Sequence, residues 1–145
     1  MSFVSRRAAP AIFLSVLVLC LAGCSGEPFK YVKASGKVTY DDGSLIPAKR
    51  IQLTFVPLAA PQNAKVAPIP GRAEVDVATG NFSKITSHTD GDGLTPGRHK
   101  VVLDTSDLLD AKQALLVPKE YTDIASTPLE VDTAQSPWTI KVKKP

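Results

Sequence analysis

Arg50-Ile51-Gln52-Leu53-Thr54-Phe55-Val56 is the stretch of this 145-residue chain that decides the fold class. Its apolar side chains, Ile51, Leu53 and Phe55, alternate with polar ones. A period of two puts successive side chains on opposite faces of a strand, whereas a helix needs apolar residues at intervals of three and four. The stretch therefore predicts a strand with one buried face.

The same alternation recurs in six other short stretches. The predicted strands cover residues 37–40, 50–56, 72–77, 81–85, 99–104, the pair Leu129 and Val131, and 138–142. Asp41-Asp42-Gly43 separates the first two strands. Thr79-Gly80-Asn81 is predicted to join the third to the fourth as a tight hairpin, because Gly and Asn adopt positive φ readily.

Two stretches lack this alternation. Residues 58–70 contain Pro61, Pro68 and Pro70 and predict a long loop. Residues 106–116 have helical spacing and predict either a short helix capped by Ser106 or Asp107, or an extended loop. The fold class predicted is all-β: a seven-stranded antiparallel β-sandwich over residues 35–145, with one long Pro-rich loop and at most one short helix.

The N-terminus has the layout of an export signal. Arg6 and Arg7 precede an uncharged apolar run over residues 8–22, which is shorter than the roughly 20 residues that a membrane-spanning helix needs. We expect residues 1–23 to be a lipoprotein signal peptide. Ala9 stands where a twin-arginine motif has a bulky apolar residue, so the Sec route is favoured over the twin-arginine route.

Leu21-Ala22-Gly23-Cys24 resembles the lipobox of bacterial lipoproteins. The resemblance implies cleavage before Cys24 and acylation of its thiol, so residues 24–34 would be the lipidated N-terminus and tether. The membrane then becomes a partner through the lipid anchor. Ser25 follows the cysteine, which by resemblance to Gram-negative sorting favours the outer membrane over the inner membrane of the cell envelope.

Charge and cysteine content exclude several classes of function. Removing Arg6 and Arg7 with the signal lowers the formal charge from +3 to +1, and nucleic-acid binding needs clustered basic residues. We therefore expect no nucleic-acid partner. The chain has two cysteines, and loss of Cys20 with acylation of Cys24 leaves no disulfide and no free thiol.

Four motifs resemble those of small carboxypeptidase-regulatory-like, or transthyretin-like, domains, which are common in planctomycete-type lipoproteins. In chain order these motifs are residues 36–43 with Pro47, Thr79-Gly80-Asn81-Phe82, residues 92–97, and Val117-Pro118-Lys119-Glu120-Tyr121. The resemblance implies a β-sandwich and export, and it implies no activity. His99 stands where the family has an aromatic residue, so we expect it to be structural.

Asp90 and Asp92, in Asp90-Gly91-Asp92-Gly93, are the candidate metal ligands. Alternating Asp with a turn-forming Gly is how calcium-binding loops begin, and a glycine-rich turn without metal is the competing interpretation. Glu does not stand where an EF-hand requires it. No other cofactor is predicted.

Catalytic motifs are missing from the sequence: it has no Gly-x-Ser-x-Gly, P-loop or His-Glu-x-x-His. Trp138 and Tyr121 are candidates for stacking on sugars or for the core. The function predicted is a non-catalytic interaction or structural module of the cell envelope with protein partners. The alternative is a lipoprotein that binds a small ligand, a carbohydrate or calcium; an unrecognised hydrolase and a spacer in an envelope complex are further alternatives.

Overall fold

Alternating apolar side chains form strands at all seven predicted places in the computed structural model, which describes residues 29–60, 66–107 and 109–145. The strands are β1 (Gly36–Tyr40), β2 (Ile51–Pro57), β3 (Gly71–Val75), β4 (Asn81–Phe82), β5 (Arg98–Asp104), β6 (Glu130–Asp132) and β7 (Trp138–Val142). Within these ranges the helical residues form three 3₁₀ helices, Ala111–Leu115, Lys119–Thr122 and Thr133–Gln135. The all-β prediction is confirmed.

The strands make two sheets, one of three strands in the order β4-β1-β7 and one of four in the order β3-β2-β5-β6. Every pair in the four-stranded sheet is antiparallel. In the other sheet β1 and β7 are parallel, with Gly36 opposite Trp138 and Tyr40 opposite Val142. The prediction of an entirely antiparallel structure is wrong for this pair. Strands joined by a hairpin must pair antiparallel. A parallel pair needs a long connection between its strands, and most of the domain lies between β1 and β7 in sequence.

The two sheets pack against each other through their apolar faces. Phe55 of the four-stranded sheet lies with its ring centroid 5.8 Å from Phe82 and 5.6 Å from Trp138, both of the three-stranded sheet. Each of these side chains is buried, as are Ile51 and Leu53 beside Phe55. Burial of one large apolar side chain contributes about 1.5–3 kcal/mol, so this layer is a principal source of stability.

The fourth strand is shorter than predicted because the chain changes sheets within it. β4 pairs with β1, but Thr86 exchanges two backbone hydrogen bonds of 2.8 Å with Arg72 of β3 in the other sheet. Thr79-Gly80-Asn81 belongs to the tight turn that joins β3 to β4, as predicted: the Asp76 N–H donates to the Asn81 carbonyl at 2.9 Å and the Gly80 N–H to the Asp76 carbonyl at 2.6 Å. The turn also stands at a corner between the sheets, because β4 itself pairs with β1. Gly80 has the predicted positive φ, 76°.

The helical stretch is a single short 3₁₀ helix, Ala111–Leu115. Its cap is Asp110, whose carboxylate accepts a hydrogen bond from the Lys112 N–H, and not Ser106 or Asp107 as predicted. The Asp107 carboxylate instead accepts the Leu109 N–H at 2.9 Å. The predicted Pro-rich loop lies between the end of β2 at Pro57 and the start of β3 at Gly71.

Strand direction defines two ends of the molecule. The proximal end holds the chain's approach to β1 and the start of β7, joined by the Trp138 N–H to Ser35 C=O hydrogen bond. The distal end holds the C-terminal ends of β1, β5 and β7. There the hydroxyl of Tyr40, the last residue of β1, donates to the Leu116 carbonyl at 2.7 Å.

Candidate functional site

Leu21, Ala22, Gly23 and Cys24 lie outside the described residues, so signal peptide and acylation stay predictions. Among the residues described, no helix is long and apolar enough to cross a membrane. The chain becomes part of the sandwich at Val32, inside the predicted tether: Val32 and Leu94 exchange backbone hydrogen bonds of 2.8 and 3.0 Å. Ala34 is already buried in the core.

Gly93 permits this junction. Its φ is +106°, and a Cβ there would lie 2.1 Å from the Val32 carbonyl oxygen. Both the left-handed backbone and the close approach require glycine. The glycine-rich stretch that suggested a metal loop therefore has a structural use, which is to fasten the approaching chain to the domain.

Asp92 organises its own turn. Its carboxylate accepts backbone N–H groups from Ser87, His88 and Thr89 at 2.8–2.9 Å. Burial alone would raise the pKa of Asp92, but the hydrogen bonds outweigh that effect and lower it. Three donors thus occupy the oxygens that a calcium ion would use.

Asp90 has a different partner, the Lys84 ammonium, whose Nζ is 2.7 Å from its carboxylate. Within residues 29–60, 66–107 and 109–145, no three His, Cys, Asp or Glu side chains come together as metal ligands would. The structure shows Asp90 and Asp92 in a closed turn without supplying a third ligand from that part of the chain. Calcium binding stays a prediction for experiment.

A cleft of about 600 Å³ opens at the distal end. Its lining includes Asp104 at the end of β5 with Thr105 and Ser106 after it, and Val117 and Pro118 with Lys119 at the start of the 3₁₀ helix Lys119–Thr122. Small-molecule sites typically occupy about 300–1,000 Å³ and combine apolar walls with few polar groups. This cleft has apolar walls that include Val117 and Pro118, and Asp104 and Lys119 supply charges of opposite sign.

Hydrogen bonds fix the wall of the cleft. The Thr105 hydroxyl donates to the Gln113 backbone carbonyl at 2.6 Å. The buried Gln113 side chain accepts the Lys49 N–H through Oε1 at 2.9 Å and donates through Nε2 to Asp110 at 3.4 Å. The Lys49 ammonium, 3.1 Å from Asp110, lowers the pKa of that carboxyl. Thr105, Asp110 and Gln113 are thereby linked to one another and to Lys49, two residues before β2.

The predicted sugar-stacking residues are both buried. Trp138 packs between the sheets and donates its Nε1–H to the Asp132 carbonyl at 2.8 Å. The buried Tyr121 hydroxyl accepts the Lys143 N–H at 3.3 Å. Neither side chain presents a ring to solvent, so their contacts are those of core residues.

His99 is buried in β5 near the proximal end, and its Nδ1 lies 3.1 Å from the Gly97 carbonyl oxygen. Burial lowers the pKa of His99, against smaller opposing effects from Gly97 and Asp132. The neutral imidazole is thus the form that fits the core. This placement agrees with the structural role expected for His99.

Sequence reasoning missed the distal cleft and Gln113. The sequence contains a motif at Val117-Pro118, but it does not show that residues 104–106 line a cleft together with it. Comparison of the chain with protein-family models, with curated proteins and with solved structures finds no match.

Proposed function

We propose that this chain is a lipid-anchored cell-envelope protein whose β-sandwich is a non-catalytic module that binds a protein partner at the distal cleft. The cleft carries this proposal: it lies at the end of the sandwich opposite the approaching chain. A domain anchored at Cys24 would present that end away from the point of attachment.

The anchor is proposed from the lipobox. An acyl chain contributes about 0.8 kcal/mol per buried CH₂, and two or more chains make attachment stable. Ser25 favours the outer membrane. For the domain we propose the transthyretin-like, or carboxypeptidase-regulatory-like, type of sandwich, supported by the seven strands and their division into sheets of three and four.

Acylation is tested by metabolic labelling with a fatty-acid analogue and by membrane fractionation. Cys24→Ser should abolish labelling and release the protein from membranes. Cys20→Ser is the matched control, because it removes the other cysteine from within the signal. The anchor would be refuted if the two variants were labelled equally, or if the unsubstituted protein were not labelled at all.

Partner binding is tested by photo-crosslinking in cells. A photoreactive residue replaces Thr122 at the rim of the cleft or, as a control, exposed Glu74 on β3. We expect a discrete crosslinked species from position 122 that Lys119→Glu weakens. Crosslinking of the same species from both positions would contradict the cleft as the binding site.

Small-ligand binding is the second candidate, favoured by the volume of the cleft and its apolar lining. A ligand that binds the folded state raises the melting temperature in proportion to ln(1 + [L]/Kd). A small-molecule screen by thermal shift, with hits required to lose their effect in Val117→Ala, separates this function from protein binding.

A further inference from the structure

Exposed and partly buried apolar side chains gather at the proximal end. Phe29, Ala59, Ala60, Pro68 and Pro96 line a common depression of about 270 Å³. Leu58 and Ile69 adjoin two of these residues in sequence and are exposed. We call this surface, Phe29 with Leu58–Ala60, Pro68, Ile69 and Pro96, the proximal apolar surface.

The backbone of Leu58 is fixed next to Ala59, which lines the depression. The Leu58 N–H donates to the Arg98 carbonyl at 3.0 Å, one residue beyond β2. Val32, also exposed, is held by its two hydrogen bonds to Leu94, next to Thr95 and Pro96. The surface is therefore presented by backbone that is tied into both the four-stranded sheet and the approaching chain.

Lysines accompany the apolar residues. Lys30 lines the same depression, and Lys33 is exposed three residues later. Within the described ranges neither ammonium lies within 4 Å of a carboxylate. Apolar side chains next to exposed lysines are the combination that suits the boundary between anionic headgroups and acyl chains.

The short distance along the chain from Cys24 to Phe29 indicates that the membrane is what the proximal apolar surface contacts. Four residues, 25–28, separate Cys24 from Phe29, so even a fully extended backbone spans at most about 18 Å between them. An acylated Cys24 would hold the proximal apolar surface next to the lipid that carries the anchor, and a short tether makes the second contact intramolecular, at millimolar effective concentration.

We propose that the proximal apolar surface docks on the headgroup layer of the membrane, so that Leu58, Ile69 and Phe29 enter the interface and Lys30 and Lys33 meet anionic phosphates. This inference rests on the anchor at Cys24 proposed above. It gives the domain a fixed orientation: the proximal end is against the bilayer and the distal cleft faces away from it.

The test uses the mature chain, residues 24–145, whose single cysteine allows Cys24 to be coupled chemically to a maleimide lipid in vesicles. Because coupling replaces cellular acylation, a failure to dock is separable from a failure of the anchor. Hydrogen–deuterium exchange is measured with anionic phosphatidylglycerol-containing vesicles and with neutral phosphatidylcholine vesicles.

We expect exchange in residues 29–31 and 58–60 to slow several-fold on coupling, more with anionic than with neutral vesicles, while residues 43–46 do not change. Leu58→Ser/Ile69→Ser should abolish the slowing. Leu45→Ser/Ile124→Ser is the matched control, since Leu45 and Ile124 are 38% and 40% exposed against 44% and 39% for Leu58 and Ile69. Unchanged exchange on coupling, or equal effects of the two double variants, would overturn the proposal.

Discussion

Single residues decide how the approaching chain joins the domain. Gly93 and Gly43 both have positive φ, +106° and +84°, but their surroundings differ. A Cβ at position 93 would collide with the Val32 backbone, whereas a Cβ at position 43 meets nothing within 4 Å. The two glycines thus separate the cost of backbone conformation from the cost of steric exclusion.

Gly43→Ala should lower the free energy of unfolding by about 1 kcal/mol, the conformational cost alone. Gly93→Ala should cost about 1–3 kcal/mol more, because the chain at Val32 must also move. Urea denaturation of both variants measures the difference. Equal losses would mean that the Val32–Leu94 contact is not stabilising.

Asp92 gives a second prediction for one residue. Asp92→Ala removes the acceptor of three backbone N–H groups and should lower stability by about 1–3 kcal/mol. If the carboxylate only organises the turn, thermal unfolding shows the same loss with and without millimolar calcium. A calcium-induced rise in melting temperature that disappears in Asp92→Ala and Asp90→Asn would instead establish the predicted calcium site.

At the scale of elements, the strands were predictable and their partners were not. Alternation fixes which side chains of β2 are buried, because the pleat allows only two faces. The residues of β1 do not indicate whether its neighbour is parallel or antiparallel, because backbone hydrogen bonds can form between strands of either relative direction. The short β4 was unpredictable for a similar reason, since the corner at Gly80 depends on both sheets being present.

The 3₁₀ helix Ala111–Leu115 is held by Gln113, and this contact is testable. Gln113→Ala leaves the Lys49 N–H without its acceptor and should lower stability by about 1–3 kcal/mol. Gln135→Ala, an exposed glutamine in another 3₁₀ helix, should change stability by less than about 0.5 kcal/mol. The matched pair is compared by urea denaturation, and similar small losses would show that the Gln113 contacts do not hold the cleft wall.

For the whole molecule, the two-sheet core was predictable and the candidate site was not. The apolar periodicity of β2, β5 and β7 specifies how much surface must be buried. The cleft forms where residues 104–106 and 117–122 lie side by side. The sequence does not predict this contact, because the two segments are separated along the chain. The sequence pointed instead to Asp90 and Asp92. The groups that bind Asp92 are backbone N–H groups, which every residue except proline has, so the sequence does not reveal them.

The response of global stability to pH follows from His99. Its pKa in the folded state is below the ordinary value of 6.5, so between these two values the unfolded chain binds more protons. Stability should therefore fall as pH drops from about 6.5 to the folded pKa, and then level off. The pKa of Asp92 is below 3.8 in the folded state, so its contribution is present above that value and is lost at lower pH.

His99→Gln should remove the first decline, which lies below pH 6.5, and leave the second. The comparison variant is His88→Gln, which removes the other histidine of the chain. Melting temperatures across pH 3–8 provide the measurement. A first decline that persists in His99→Gln would assign the response to another group.

Trp138 is the one tryptophan of the chain, and it lies between the sheets beside Phe55 and Phe82. The protein therefore contains its own optical probe, whose emission comes from an apolar layer while the sheets are together and shifts to longer wavelength when water reaches the indole. Its nearest polar contact, the Asp132 carbonyl, belongs to the opposite sheet. Fluorescence at this single position consequently reports separation of the two sheets, without any label and without interference from a second indole.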